Sequence, residues 1–161
     1  MDIEYREFPT KEELYQYIAE QHERIMDEAD DLYSMLANTS ALLKLEIPNT
    51  NWTGFYLMKG DKLVVGPFQG KPAVANIAIG AGVCGTAVAE NKSQIVENVH
   101  TCCNHIACDF SSASEIVVPI YKGGEIFGVI DIDSPLKANF DEADLAGLQK
   151  LAEAISRYLQ R

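Results

Sequence analysis

The sequence predicts an α+β protein in which a mostly antiparallel sheet of five or six strands is flanked by N- and C-terminal helices. Apolar residues recur at helical spacing near both ends of the chain. Between them lie two pairs of apolar, β-rich runs, joined by Gly60-Asp61 and by Lys122-Gly123-Gly124. No repeat or low-complexity linker divides the 161 residues, and 47% apolar content is enough for one core. A single domain over 1–161 is expected, with helices over about 11–45, sheet and site loops over about 52–134, and a closing helix over about 141–158.

Thr10 followed by Glu13 reads as a capping box, and Leu14, Ile18 and Ile25 continue as the apolar stripe of a helix from about Lys11 to Glu28. Leu32, Met35, Leu36, Leu42 and Leu43 trace a second helix that stops before Pro48. Trp52–Lys59 and Lys62–Phe68 form a first hairpin, and Asn76–Ile79 a short strand. A short helix over Val83–Asn91 and a strand over Ser93–Val99 follow. Val99–Ser114 has no period, and its Cys, His, Ser and Asp content marks a loop of functional length. Glu115–Tyr121 and Glu125–Asp133 form a second hairpin, central in the sheet. Leu145, Leu148, Leu151, Ala152, Ile155 and Leu159 share one face of the last helix, whose acidic first turn opposes the helix dipole.

Thirteen Lys and Arg against 24 Asp and Glu give a formal charge of −11, which argues against a nucleic-acid partner. No segment approaches ~18 uninterrupted apolar positions, so no membrane span is expected. The polar, acidic first thirty residues lack the features of a secretory signal, and the cytoplasm is the expected location. All four cysteines, Cys84, Cys102, Cys103 and Cys108, fall within 25 positions, which suits chemistry or metal better than a disulfide framework.

Strand alternation puts Asp131 and Asp133 on one face and Ile126, Ile130 and Ile132 on the other. It also aligns Trp52 with Tyr56 and sets Glu115 at the start of the pairing strand, so a pocket with an aromatic wall and three acids is possible. The plainer alternative is a pair of acids solvating a strand end. Close carboxylates hold a proton against mutual repulsion, and such a set serves as a general acid or binds an ammonium group. Cys108, with His105 nearby, is a candidate thiolate nucleophile, and Cys84, near a helix N-terminus, a second; inert buried thiols are the alternative for either.

Three other patterns carry less. His100, Cys102, Cys103, His105 and Cys108 crowd one loop, whereas structural zinc takes separated ligand pairs, so no metal site is assigned. Gly80-Ala81-Gly82-Val83-Cys84-Gly85 matches G-x-G-x-x-G, but the short helix and antiparallel surroundings favour a tight strand-to-helix turn over a dinucleotide site. Asp131-Ile132-Asp133-Ser134 has the form of an aspartyl nucleophile motif, yet it closes a hairpin instead of opening a parallel βα unit.

Five ordered strings, Asn51-Trp52-Thr53-Gly54-Phe55-Tyr56, Gly82-Val83-Cys84-Gly85-Thr86-Ala87, His105-Ile106-Ala107-Cys108-Asp109, Ser114-Glu115-Ile116-Val117-Val118-Pro119 and Gly128-Val129-Ile130-Asp131-Ile132-Asp133-Ser134-Pro135, together resemble the free methionine-(R)-sulfoxide reductase family, which has a GAF fold. The resemblance implies a homodimer without metal or organic cofactor that reduces free L-methionine (R)-sulfoxide with electrons from thioredoxin. It places the nucleophile at Cys108 and the substrate pocket at Trp52, Tyr56, Glu115, Asp131 and Asp133, with backbone around Ile106, Ala107 and Cys108 holding the substrate carboxylate. Members with three motif cysteines have one ten residues before the cysteine of Gly-Val-Cys-Gly, and that position is Val74 here. Cys84 is then the first candidate to resolve the oxidised nucleophile, with Cys102, Cys103 or direct attack by thioredoxin as alternatives. The competing reading is a non-catalytic GAF sensor that binds a small molecule in the same place.

Overall fold

Each long helix starts where a short oxygen-bearing side chain can satisfy its first free N–H groups. Thr10 Oγ1 accepts from the Glu13 N–H at 3.2 Å and opens α1 (Lys11–Glu28). Asp31 accepts from Tyr33 and Ser34 N–H and opens α2 (Leu32–Glu46). Asp141 and Asp144 form a reciprocal capping box at α4 (Glu142–Tyr158). The remaining elements are β1 (Trp52–Lys59), β2 (Lys62–Gln69), β3 (Asn76–Ala78), α3 (Gly82–Glu90), β4 (Gln94–Val96), a 3-10 turn (Val99–Thr101), β5 (Ser114–Lys122) and β6 (Glu125–Ser134). The computed structural model describes residues 3–101 and 111–161.

Six strands lie in the order β3-β2-β1-β6-β5-β4, with every neighbouring pair antiparallel. On one face, Phe55, Leu57, Ile116, Val118, Ile120, Ile130 and Ile132 join the apolar stripes of α1, α2 and α4 in the larger core. On the other, Trp52, Tyr56, Val117 and Val129 pack with Val83, Cys84 and Ala87 of α3. Both expected hairpins form, and β5 and β6 are interior strands.

Two details depart from strict alternation. β6 carries a bulge at Phe127, so Ile130 and Ile132 face the helices as expected, but Phe127 and not Ile126 packs against that core. β4 stops at Val96 instead of reaching Val99. Val96 already pairs with Glu115, one residue from the start of β5, and the Asn98 side chain then accepts from the His100 N–H at 3.1 Å and turns the chain.

Helices α1 and α4 meet at Gly147. A Cβ there would stand 2.1 Å from the Tyr15 ring, whose hydroxyl donates to Asp144 at 2.9 Å while Lys11 Nζ donates to the other carboxylate oxygen. Alanine would gain about 1 kcal/mol of helix propensity. Displacing a buried tyrosine and its hydrogen bond costs more, about 3 kcal/mol. Gly147→Ala is therefore expected to lower stability by about 2 kcal/mol in an equilibrium urea melt, and an unchanged or raised midpoint would show that the two helices have room to part.

His22, on the buried face of α1, is fully buried, and neither ring nitrogen has a hydrogen-bond partner among the described residues. Burial first, and the Arg157 charge second, lower its pKa from 6.5 to about 4. The fold accepts only the neutral ring, so the unfolded chain binds the proton first. Stability is full above pH 6.5 and falls as pH drops toward 4, by about 3 kcal/mol in all. His22→Met is expected to remove that part of the acid sensitivity, read as the difference between the two chains' stability-against-pH curves.

Candidate active site

The sheet register gathers the acids. Asp133 pairs with Trp52 on one side and Glu115 on the other, and one row along, Asp131 pairs with Gly54 and Val117. Alternation turns Trp52, Tyr56, Glu115, Asp131 and Asp133 toward the face covered by α3. Glu115 is 5% exposed, Asp131 1% and Asp133 2%, so these carboxylates do not solvate a strand end. Burying three acids is costly, and such clusters persist where charge or proton chemistry requires them.

Helix α3 brings a thiol to them. Gly80, at φ +89°, and Gly82, at φ +60°, adopt left-handed conformations, and Gly80 N–H donates to Gly85 O at 2.9 Å. A Cβ on Gly85 would stand 2.5 Å from the Ala78 carbonyl oxygen. The G-x-G-x-x-G pattern is thus the tight turn that seats α3 against the end of β3. Cys84 Sγ, a Glu115 oxygen and an Asp131 oxygen consequently lie within 4.8 Å of one another. Burial pushes the Cys84 pKa well above its ordinary value, the Asp131, Glu115 and Asp133 charges push further, and the thiol is hydrogen-bonded to Asp131. Proximity to a helix N-terminus predicted the opposite; the short dipole of α3 is outweighed by desolvation and three nearby acids.

Trp52 forms the neighbouring wall, stacked on Tyr56 at 5.8 Å and on Phe68 at 5.0 Å between ring centroids. Its indole N–H donates to Lys71 O at 3.2 Å, and Tyr56 hydroxyl donates to Val74 O at 2.9 Å. Phe68 was not expected here. Gly66 and Pro67 together oppose Phe55 in a bulge, which moves Phe68 onto the face of Trp52, and the Gly-Pro pair inside a strand is the signal for it. Gly54 has no side chain to block that approach: a Cβ there would lie 2.3 Å from Phe68 Cβ.

Beside this wall, Asn51 N–H donates to Asp133 O at 3.0 Å, and its side-chain amide donates to Ser111 Oγ at 3.1 Å and Ser112 Oγ at 3.2 Å. His100 is exposed on the 3-10 turn. Cys102, Cys103, His105, Ile106, Ala107 and Cys108 lie outside the described residues.

The GAF domain family matches residues 10–160. The chain is 47% identical to Protein YtsP of Bacillus subtilis, over 92% of this chain and 93% of that one. It is 45% identical to the free methionine-R-sulfoxide reductase of Escherichia coli, over 93% of this chain and 91% of the relative. Among solved structures, the free methionine-R-sulfoxide reductase of Neisseria meningitidis, in complex with its substrate, superposes with a TM-score of 0.94 at 38% identity, covering 99% of this chain and 96% of that one. With the antiparallel sheet, the buried acids and the stacked tryptophan in the same ordered motifs, this chain belongs to the GAF-domain family and, within it, to the free methionine-R-sulfoxide reductases.

Proposed function

We propose that the chain is an L-methionine (R)-S-oxide reductase acting on the free amino acid, with Trp52, Tyr56, Glu115, Asp131 and Asp133 forming the substrate pocket. The observation that carries this reading is the buried Glu115/Asp131/Asp133 set beside a stacked tryptophan, in a chain of this family. Trp52 offers an apolar face to the methyl end of a substrate, and the carboxylates suit its ammonium group.

In the mechanism, the Cys108 thiolate attacks the sulfoxide sulfur while the carboxylate cluster protonates the oxygen. Attack joins the Cys108 sulfur to the substrate sulfur. As the substrate sulfur–oxygen bond breaks, the hydroxyl passes to the Cys108 sulfur and the sulfur–sulfur bond breaks with its electron pair on methionine, which leaves reduced while Cys108 becomes a sulfenic acid. Ser111, three residues after Cys108, is tethered through Asn51 beside Trp52, which favours such an approach. A second thiol then displaces water from the sulfenic acid to give a disulfide, and thioredoxin resets it by exchange. Cys84 is our first choice as the resolving thiol, because its proton already faces Asp131; Cys102 and Cys103 are the alternatives. No resident metal or organic cofactor takes part. A homodimer in the cytoplasm, where thioredoxin is reducing, is the expected setting. No described helix is long and apolar enough to cross a membrane.

The test offers free (R)-sulfoxide, free (S)-sulfoxide and a peptide-bound sulfoxide side by side with a dithiol reductant. Turnover of the free (R) form alone is expected. Binding of the free (R) form without turnover would favour a sensor, and efficient reduction of the peptide would refute a pocket built for the free ammonium group.

A further inference from the structure

We propose that Cys84, Glu115 and Asp131 form a site for one thiophilic divalent cation, of the zinc type, whose occupancy shuts the pocket off. The blocking half rests on the pocket being the substrate pocket; the binding half does not. The three donors come from α3, β5 and β6, are at least nine-tenths buried, and converge to within 4.8 Å of one another. Zinc holds thiolate at ~2.3 Å and carboxylate oxygen at ~2.0–2.2 Å, which sets tetrahedral donors roughly 3.5 Å apart. A modest contraction of the triad reaches that geometry.

Within that triad the Cys84 thiol faces the Asp131 carboxylate, so sulfur and carboxylate are directed at one point with the thiol proton between them. A dication that displaces that proton joins a thiolate and two carboxylates, and the acids that disfavour a bare thiolate become its partners in coordination. A thiolate among the donors selects zinc, cobalt or cadmium over magnesium or calcium. Coordination leaves the metal and the protein's oxidation state unchanged, releases one proton, and withdraws Glu115 and Asp131 from substrate and from proton delivery.

Cobalt(II) is the probe, because a cobalt–thiolate bond gives a near-ultraviolet charge-transfer band. A chain carrying Cys102→Ser, Cys103→Ser and Cys108→Ser is expected to bind one cobalt with that band, and zinc to displace it. Adding Cys84→Ser should abolish the band while the near-ultraviolet circular dichroism of the fold is retained. In the same background, Glu115→Gln and Asp131→Asn should each weaken zinc by at least the about 10–100-fold that losing even a second-shell partner costs. A missing band in the first chain, or one that survives loss of Cys84, overturns the site. In the wild type, equimolar zinc is expected to stop sulfoxide reduction and EDTA to restore it; full activity with zinc demonstrably bound overturns the blocking role. Failure of the enzymatic reading would look different, as no reduction even in EDTA with cobalt binding intact.

Discussion

Cys108→Ser is expected to reduce sulfoxide turnover by roughly 10⁴-fold or more, the scale on which removal of a nucleophile acts. The substitution removes one sulfur atom and adds no bulk, so the melting profile should match that of the wild type. Serine cannot follow the same path, because its hydroxyl does not ionise near neutral pH and does not accept oxygen as a stable sulfenic acid. Single turnover without reductant, followed by mass mapping, extends the test: the wild type should end with Cys108 bridged to Cys84, and Cys84→Ser should stall at the sulfenic acid. An exclusive bridge from Cys108 to Cys102 or Cys103 would remove Cys84 from the cycle. Turnover undiminished by Cys108→Ser would remove the nucleophile, and with it the chemistry assigned to the chain.

The choice of Cys84 carries a physical difficulty that the geometry also answers. A thiol buried among three acids is a poor thiolate, yet a resolving thiol must lose its proton as it attacks. Asp131 is hydrogen-bonded to that thiol and can take the proton at the moment of attack. Position 74, where the resemblance to members with three motif cysteines implies a resolving thiol, holds a valine that packs against the Trp52–Tyr56 cluster and accepts the Tyr56 hydroxyl through its carbonyl. The backbone role of that position survives without a thiol.

Much of this was legible in the sequence because period and capping agree with the fold. Leu14, Ile18 and Ile25 face the core, Asp141 begins α4, and the two-residue repeat placed Asp131, Asp133, Trp52 and Tyr56 on the faces where they lie. What escaped depends on contacts that no local pattern encodes. The helix N-terminus beside Cys84 suggests a lowered pKa, but burial and the acids of β5 and β6, distant in sequence, set its proton affinity. Phe68 and Ile126 were displaced by bulges, each of which reverses the alternation beyond it. His22 fell on no motif, and only the packing of α1 against α4 makes its neutrality a condition of folding.

The second large effect concerns the proton. Asp131→Asn and Glu115→Gln are expected to slow formation of the Cys108 sulfenic acid by about 10²–10⁴-fold, the usual range for loss of general acid assistance. Glu153→Gln, an exposed acid on α4, should change it little. Single-turnover trapping at saturating substrate isolates this step from binding, which matters because the same carboxylates also face the substrate ammonium group. Asp131→Asn has a companion signature. It removes the largest charge that opposes ionisation of Cys84, so alkylation of that thiol should begin at lower pH than in the wild type, even as sulfoxide reduction slows. Mere loss of fold would also expose Cys84, but it would lower the melting midpoint in parallel. A variant that keeps its midpoint, shifts the alkylation profile downward and still reduces sulfoxide at the wild-type rate would separate Asp131 from proton delivery. The oxygen would then have to leave with a proton from Glu115, Asp133 or solvent.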